Sequence, residues 1–145
     1  MSHTHFLFHI VFGTKDHAPL ITEVWESELY KYLAGIIKHR GGEAIEINGM
    51  PDHMHIFSRL ELNETFPTFM RELKASSSRW AKQFQPKFAW QRRYGAFTVS
   101  ESASDAVRKY IRGQKEHHKK QTFEEEYVEL LRRHKVDFDE RYLWE

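Results

Sequence analysis

The stretch Gly49-Met50-Pro51-Asp52-His53-Met54-His55-Ile56-Phe57 decides the reading of the fold. Gly49 to Asp52 carries turn chemistry, and the run from His53 to Leu60 that follows predicts a buried strand. Successive strand residues point to opposite faces. His53 and His55 therefore present two imidazoles on one side, while Met54 and Ile56 face the other. One strand then serves an apolar core and a polar site together. Two nitrogen donors on a rigid strand are a sensible start for a divalent metal site, although an isolated His-x-His is more often an ordinary core or surface pair.

Upstream of this stretch, Glu43 to Asn48 alternates as a short second strand. It follows a helix that Thr22 can cap, with Glu23 and Glu26 in its first turn. Trp25, Leu29, Leu33, Ile36 and Ile37 supply the inner face of that helix, and Gly41-Gly42 stops it. His5 to Thr14 predicts the first strand, with Phe6, Phe8, Ile10 and Phe12 on one face and His5, Leu7, His9 and Val11 on the other. Downstream, a second helix opens at Asn63 or Thr65, tolerates Pro67 in its first turn and turns Phe66, Phe69, Met70, Leu73, Ser77, Trp80 and Phe84 inward. Gln85 to Arg93 reads as a loop and Tyr94 to Ser100 as a fourth strand. Ser102 or Ser104 starts a third helix through Val107, Tyr110, Ile111 and Gln114. Thr122 and Glu125 form a capping box for a final helix along Phe123, Glu126, Tyr127, Leu130 and Leu131. The apolar tail Tyr142-Leu143-Trp144-Glu145 packs on the body or on a second subunit.

The order β-α-β-β-α-β followed by helices predicts an α+β fold. It is a ferredoxin-like split βαβ antiparallel sheet with helices on one face and a C-terminal helical extension. The other sheet face is then free for a site unless a second subunit covers it. At 145 residues, with 40 % apolar and 14 % aromatic side chains, the expectation is one domain, residues 1–145, with a sizeable core. The formal charge of +1 does not by itself indicate a nucleic-acid binder. The absence of cysteine excludes a disulfide framework and a thiolate zinc site. No run approaches the roughly 18 apolar residues of a membrane helix, and Met1-Ser2-His3-Thr4-His5 does not open a secretory leader. The expectation is a cytoplasmic protein without a membrane partner.

Tyr110 and Gln114 stand four apart, on one face of the third predicted helix. A tyrosine oxygen can attack a phosphodiester and split the reaction into two reversible transesterifications. Such a step needs charge stabilisation at the phosphate, which a divalent cation supplies. Gln114 can lend a neutral third ligand beside His53 and His55. Taken alone, Tyr110 as an amphipathic core residue and Gln114 as a solvated one is the simpler reading. Gly113 between them is a poor helix-interior residue, either a bend that places Tyr110 or a weak spot.

His53-Met54-His55 matches the His-hydrophobic-His signature of the HUH endonucleases. Val107-Arg108-Lys109-Tyr110-Ile111-Arg112-Gly113-Gln114 resembles the nucleophile helix of the single-tyrosine transposases of small insertion sequences and of the related palindrome-associated tyrosine transposases. His9 to Lys15, Trp90 to Ser100 and Gln114 to His118 also match, in the same order, so the resemblance runs from about His5 to Leu131. It implies Tyr110 as nucleophile and His53, His55 and Gln114 as ligands of Mg²⁺ or Mn²⁺. It further implies single-stranded DNA with hairpins as substrate, and a homodimer with composite active sites. Tyr110 would remain joined to a 5′ phosphate and release a 3′ hydroxyl.

Lys74, Arg79, Lys82, Lys87, Arg92 and Arg93 are interleaved with Trp80, Phe84, Phe88 and Trp90. That mixture suits phosphate contacts with base stacking, or equally a solvated helix face over an aromatic core. Arg108, Lys109 and Arg112 surround Tyr110 and can steady a phosphate. His117 and His118 can touch phosphate or move a proton, although a solvated helix end is the simpler role. Asp52 can orient a histidine as a neighbouring carboxylate or simply occupy the turn. His3, His5 and His9 are candidates to line the open sheet face, none as a ligand. The competing functions are a host-maintained relative acting on repeated palindromes, a non-catalytic single-stranded nucleic-acid module, and a metal-dependent hydrolase in which Tyr110 is structural.

Overall fold

A computed structural model describes residues 2–144; Met1 and Glu145, the two ends of the expected unit, lie outside the described residues. Strands β1 (Phe6–Gly13), β2 (Glu43–Met50), β3 (His53–Leu60) and β4 (Gly95–Thr98) form one antiparallel sheet in the order β2-β3-β1-β4. With helices α1 (Glu26–His39) and α2 (Phe66–Ala81) as the two crossovers, this is the split βαβ arrangement the element order predicts. The central pair, β1 with β3, runs in register from Phe6 opposite Leu60 to Gly13 opposite His53.

Strand β2 continues through Gly49 and Met50, which read as turn residues in the sequence. Met50 pairs with His53, so Pro51 and Asp52 alone make the hairpin loop. The strand reaches so close to the turn because position 49 is glycine: a Cβ there would stand 2.2 Å from the His53 carbonyl oxygen. Helix α1 begins later than its Thr22 cap signal. The Thr22 carbonyl accepts from the amides of Trp25 and Glu26 in a preceding turn, anchored by buried Trp25 stacking on Phe84. Thr65 caps α2, its hydroxyl accepting from the Thr68 amide.

One face of the sheet offers Ile10, Phe12, Met54 and Ile56 to Leu29, Leu33 and Ile37 of α1 and to Phe69, Met70 and Leu73 of α2. The opposite face is not open. Helices α3 (Ser104–Arg112), α4 (Gln114–His117) and α5 (Phe123–Arg133) lie on the histidine side. Ile111 packs on Leu7 and Phe57, while Phe123, Tyr127, Leu130 and Leu131 pack with Val11 and Phe97. The apolar stripe of α5 needs a partner surface, and this chain's own sheet supplies it. The tail follows suit: Leu143 is buried, and Trp144 meets His17, Phe123 and Tyr127.

The third predicted helix is broken at Gly113, between α3 and α4. The Asn48 side-chain amide donates to the carbonyls of Ile111 (2.9 Å) and Arg112 (3.2 Å). Those are acceptors that a continuing helix would use four residues on. A residue of β2 thus ends α3 at Arg112, two residues after Tyr110. Among the described residues no helix is long and apolar enough to cross a membrane.

Candidate metal and nucleophile site

His53 and His55 are fully buried on β3, on the face covered by α3 to α5. His53 Nδ1 lies 2.7 Å from Asp52 Oδ1, and its ring stacks on Phe123 with centroids 4.2 Å apart. His55 Nδ1 lies 2.8 Å from Nε2 of His9, which is buried on β1 behind it. Both Nε2 atoms face α5, where Glu126, 1 % exposed, is the hub. Its Oε1 is 2.9 Å from His55 Nε2, 2.9 Å from His118 Nε2 and 3.3 Å from His53 Nε2. Its Oε2 accepts from Gln114 Nε2 at 2.9 Å and from the Tyr110 hydroxyl. One carboxylate therefore joins the histidine pair to the tyrosine and the glutamine.

A carboxylate so buried is costly unless paired. Burial alone would raise its pKa, but the hydrogen bonds from His118, His53 and His55 hold Glu126 well below the ordinary range. Burial pushes His55 down to about 4 despite Glu126, so that ring is neutral near pH 7. Burial also lowers His9, and neighbouring His55 adds to the effect. In His53 the bonds to Asp52 and Glu126 outweigh burial and raise the pKa. Burial and the Glu126 charge push Tyr110 up, leaving a firmly protonated phenol that needs activation before it can attack.

The donor set fits a cation. The Gln121 carbonyl, 2.7 Å from His118 Nδ1, can only accept, so that nitrogen donates. Burial opposes ionisation of Asp52, but its bond to His53 holds the pKa down, so His53 Nδ1 donates to a carboxylate. In their neutral forms both rings then aim an Nε2 lone pair at Glu126 Oε1. His53 Nε2 also faces Gln114 Oε1 at 3.1 Å. Acceptors turned on acceptors are reconciled by a positive charge among them, from protons or a metal ion. One ligand atom each from His53, His55, His118 and Glu126 lies within 4.8 Å of the others. Those four side chains could hold a metal, with Gln114 Oε1 at the margin.

The sequence-predicted quartet His53, His55, Tyr110 and Gln114 thus meets in space, although Gly113 interrupts the helix that was to carry the last two. The tyrosine and the histidines come together within one chain. Tyr110 also opens onto a cavity of ≈ 470 Å³ lined by Val99, Val107, Leu130 and Arg133. Of the basic candidates, Arg108 and Arg112 are on α3 and face Glu46 at 3.8 and 2.8 Å. Arg79 and Lys82 stand exposed on and just after α2, in the layer across the sheet from the histidines. The Lys74 ammonium donates to the carbonyls of Gln91 (2.6 Å) and Arg92 (3.0 Å). Arg92 and Arg93 line a separate cavity with Tyr94, Tyr127 and Phe138. His5 is exposed and pairs with Glu101, and His117 is half-buried, 3.6 Å from Glu126. His118 sits in the cluster, not in a solvated helix end, because the Gln121 carbonyl turns its ring inward. Sequence reasoning missed Glu126. The available signal was an acid at an inward position of an otherwise apolar stripe, between Phe123 and Tyr127.

Comparison with known proteins places the chain in a family and a fold. The sequence pattern described as "transposase IS200 like" matches residues 2–114. The chain is 29 % identical over 116 residues to the ISDra2 transposase TnpA of Deinococcus radiodurans, covering 74 % of this chain and 82 % of that one. Among solved structures, a putative transposase from Deinococcus radiodurans superposes with a TM-score of 0.63 at 23 % identity, covering 78 % of this chain and 93 % of that one. A REP-associated tyrosine transposase bound to a REP hairpin superposes with a TM-score of 0.62 at 15 % identity, covering 81 % and 73 % respectively. At these identities the two structures speak to the fold.

Proposed function

The chain belongs to the family of IS200-like transposases, and from that premise we propose that it cleaves and rejoins single-stranded DNA through a 5′-phosphotyrosine on Tyr110, with metal assistance. The observation that carries the proposal is the convergence of Tyr110 and the His53–His55 pair on one buried carboxylate. Binding alone would not need a phenol and paired imidazoles at that point.

In this reading Tyr110 Oη forms a bond to phosphorus as the bond to the 3′ oxygen breaks. The proton lost by the phenol is balanced by the one the departing 3′ oxygen takes up. The free 3′ hydroxyl can then attack another phosphotyrosine, so strands are rejoined without an external energy source. His53, His55 and Gln114 would hold Mg²⁺ or Mn²⁺, which when bound stabilises charge on the scissile phosphate. Glu126 holds the tyrosine hydroxyl in place, and Asp52 fixes the tautomer of His53. Arg108 and Arg112 flank the nucleophile and serve the DNA backbone, with Lys74, Arg79, Lys82, Arg92 and Arg93 as more distant contacts.

Hairpin DNA is the proposed substrate, supported by the hairpin-bound relative of the same fold. Within the single chain Tyr110 meets its own histidine pair, an arrangement that suits action in cis. A homodimer with composite sites makes a different prediction. Mixing Tyr110→Phe with His53→Ala/His55→Ala would restore cleavage only if subunits share sites.

The test is cleavage of end-labelled single-stranded hairpins with flanking sequence, drawn from a pool, with Mg²⁺ or Mn²⁺. Wild type should cut, while Tyr110→Phe and His53→Ala/His55→Ala should not. Cutting that persists in Tyr110→Phe would replace the proposal with hydrolysis by a metal-activated water.

A further inference from the structure

We propose that Glu126 and His118 are metal ligands in their own right, so that three imidazoles and one carboxylate hold the ion and favour Mn²⁺ or a later transition ion over Mg²⁺. The inference rests on the reading above that an ion sits at His53 and His55. Both added residues lie beyond residue 114, outside the segment matched by the family pattern. The family pattern therefore assigns them no role.

Three observations carry it. Glu126 Oε1 lies 2.9 to 3.3 Å from the Nε2 atoms of His55, His118 and His53, separations typical of ligand atoms sharing one small cation. His118 has no freedom to be a bystander, because its Nδ1 is fixed on the Gln121 carbonyl and its Nε2 aims into the cluster. Glu126 is positioned from behind, its other oxygen accepting from Gln114 and Tyr110. The carboxylate that would bind the ion therefore also holds the nucleophile, and α5 becomes part of the site.

The ion preference follows from donor chemistry. Mg²⁺ dehydrates reluctantly and favours oxygen ligands with several retained waters. Imidazole suits later ions, and affinity at a given site rises from Mn²⁺ onward. A site of three buried imidazoles leaves little room for the water shell of Mg²⁺. The same crowding implies that Gln114, and not Glu126, gives way when a phosphate oxygen enters.

The experiment uses the full chain titrated with Mn²⁺ alone and followed by electron paramagnetic resonance. Nitrogen couplings in the wild-type complex should count three imidazoles, a measurement that needs no variant; a count of two would overturn the role of His118. In Glu126→Gln the affinity for Mn²⁺ should fall by about tenfold or more, and unchanged affinity would overturn the role of Glu126. Mg²⁺ should displace Mn²⁺ only in large molar excess, and displacement at equal concentration would overturn the selectivity. His53→Ala/His55→Ala separates the two levels. If it retains full Mn²⁺ affinity, the ion site and the functional reading fail together. If it loses Mn²⁺ while Glu126→Gln keeps it, the ion site stands and the role of Glu126 fails.

Discussion

Replacing Gly13 by alanine tests whether α5 is docked on the sheet as described. A Cβ at position 13 would stand 2.5 Å from Gln91 Oε1, 2.7 Å from Phe123 Cε2 and 3.2 Å from the Asp52 carbonyl oxygen. Neither close neighbour can swing away. Gln91 is buried and accepts from the Gly13 amide at 2.7 Å, and Phe123 is buried against His53. Carbon atoms pack at about 3.5 Å or more, so Phe123 must retreat by roughly 0.8 Å. Overpacking of this kind costs about 1–3 kcal/mol, and straining the Gln91 bond adds about 1 kcal/mol. The expected loss, about 2–4 kcal/mol, is a large share of the 5–15 kcal/mol or so typical of a domain. Gly35 is the control: it is exposed inside α1, with nothing within 4 Å of a new Cβ. Gly35→Ala should stabilise by about 0.5–1 kcal/mol. Urea unfolding of both variants reads the two signs. A Gly13→Ala protein within about 0.5 kcal/mol of wild type would refute the docking of Phe123 beside His53.

Thr122→Ala removes the capping box that starts α5, in which Thr122 and Glu125 each satisfy the other's backbone amide; a loss of about 0.5–2 kcal/mol should appear in thermal unfolding, and an unchanged midpoint would speak against it. Asp52→Asn leaves the hairpin intact but weakens the brace on His53 Nδ1, so Mn²⁺ affinity should fall about 10- to 100-fold in a titration while the circular dichroism stays that of wild type. Burial pushes Lys74 down to about 8, below its ordinary 10.5. Between those values the unfolded chain binds more protons, so this group's contribution to stability rises with pH. Wild type should therefore gain stability relative to Lys74→Met between pH 7 and pH 9.5, and a constant difference would show that Lys74 is not desolvated.

The sheet was legible because its strands announce themselves locally. Alternation placed His9 and Val11 opposite Ile10 and Phe12 on β1, and the turn residues before His53 put the histidine pair on one face of β3. The final helix was legible too, through Thr122 and Glu125. What local pattern could not supply is docking. The stripe of Phe123, Tyr127, Leu130 and Leu131 says that α5 buries a face, but not that the buried face meets the histidines of its own chain. For that reason the second sheet face was expected to be open, and Glu126 read as one more helical residue. The break at Gly113 depends on Asn48, 63 residues before Ile111, whose amide takes the helix carbonyls. His118 depends on the Gln121 carbonyl in the same way. Long-range hydrogen bonds of this sort leave no periodicity to read.

The most direct measurement of the central claim is mass spectrometry of the chain after reaction with single-stranded hairpin DNA and Mn²⁺, followed by nuclease and protease digestion. The account predicts a nucleotide joined through a 5′ phosphate to the peptide containing Tyr110, and no such adduct from the His53→Ala/His55→Ala protein. Cleaved DNA with an unmodified Tyr110 peptide, or an adduct on another residue, would contradict it.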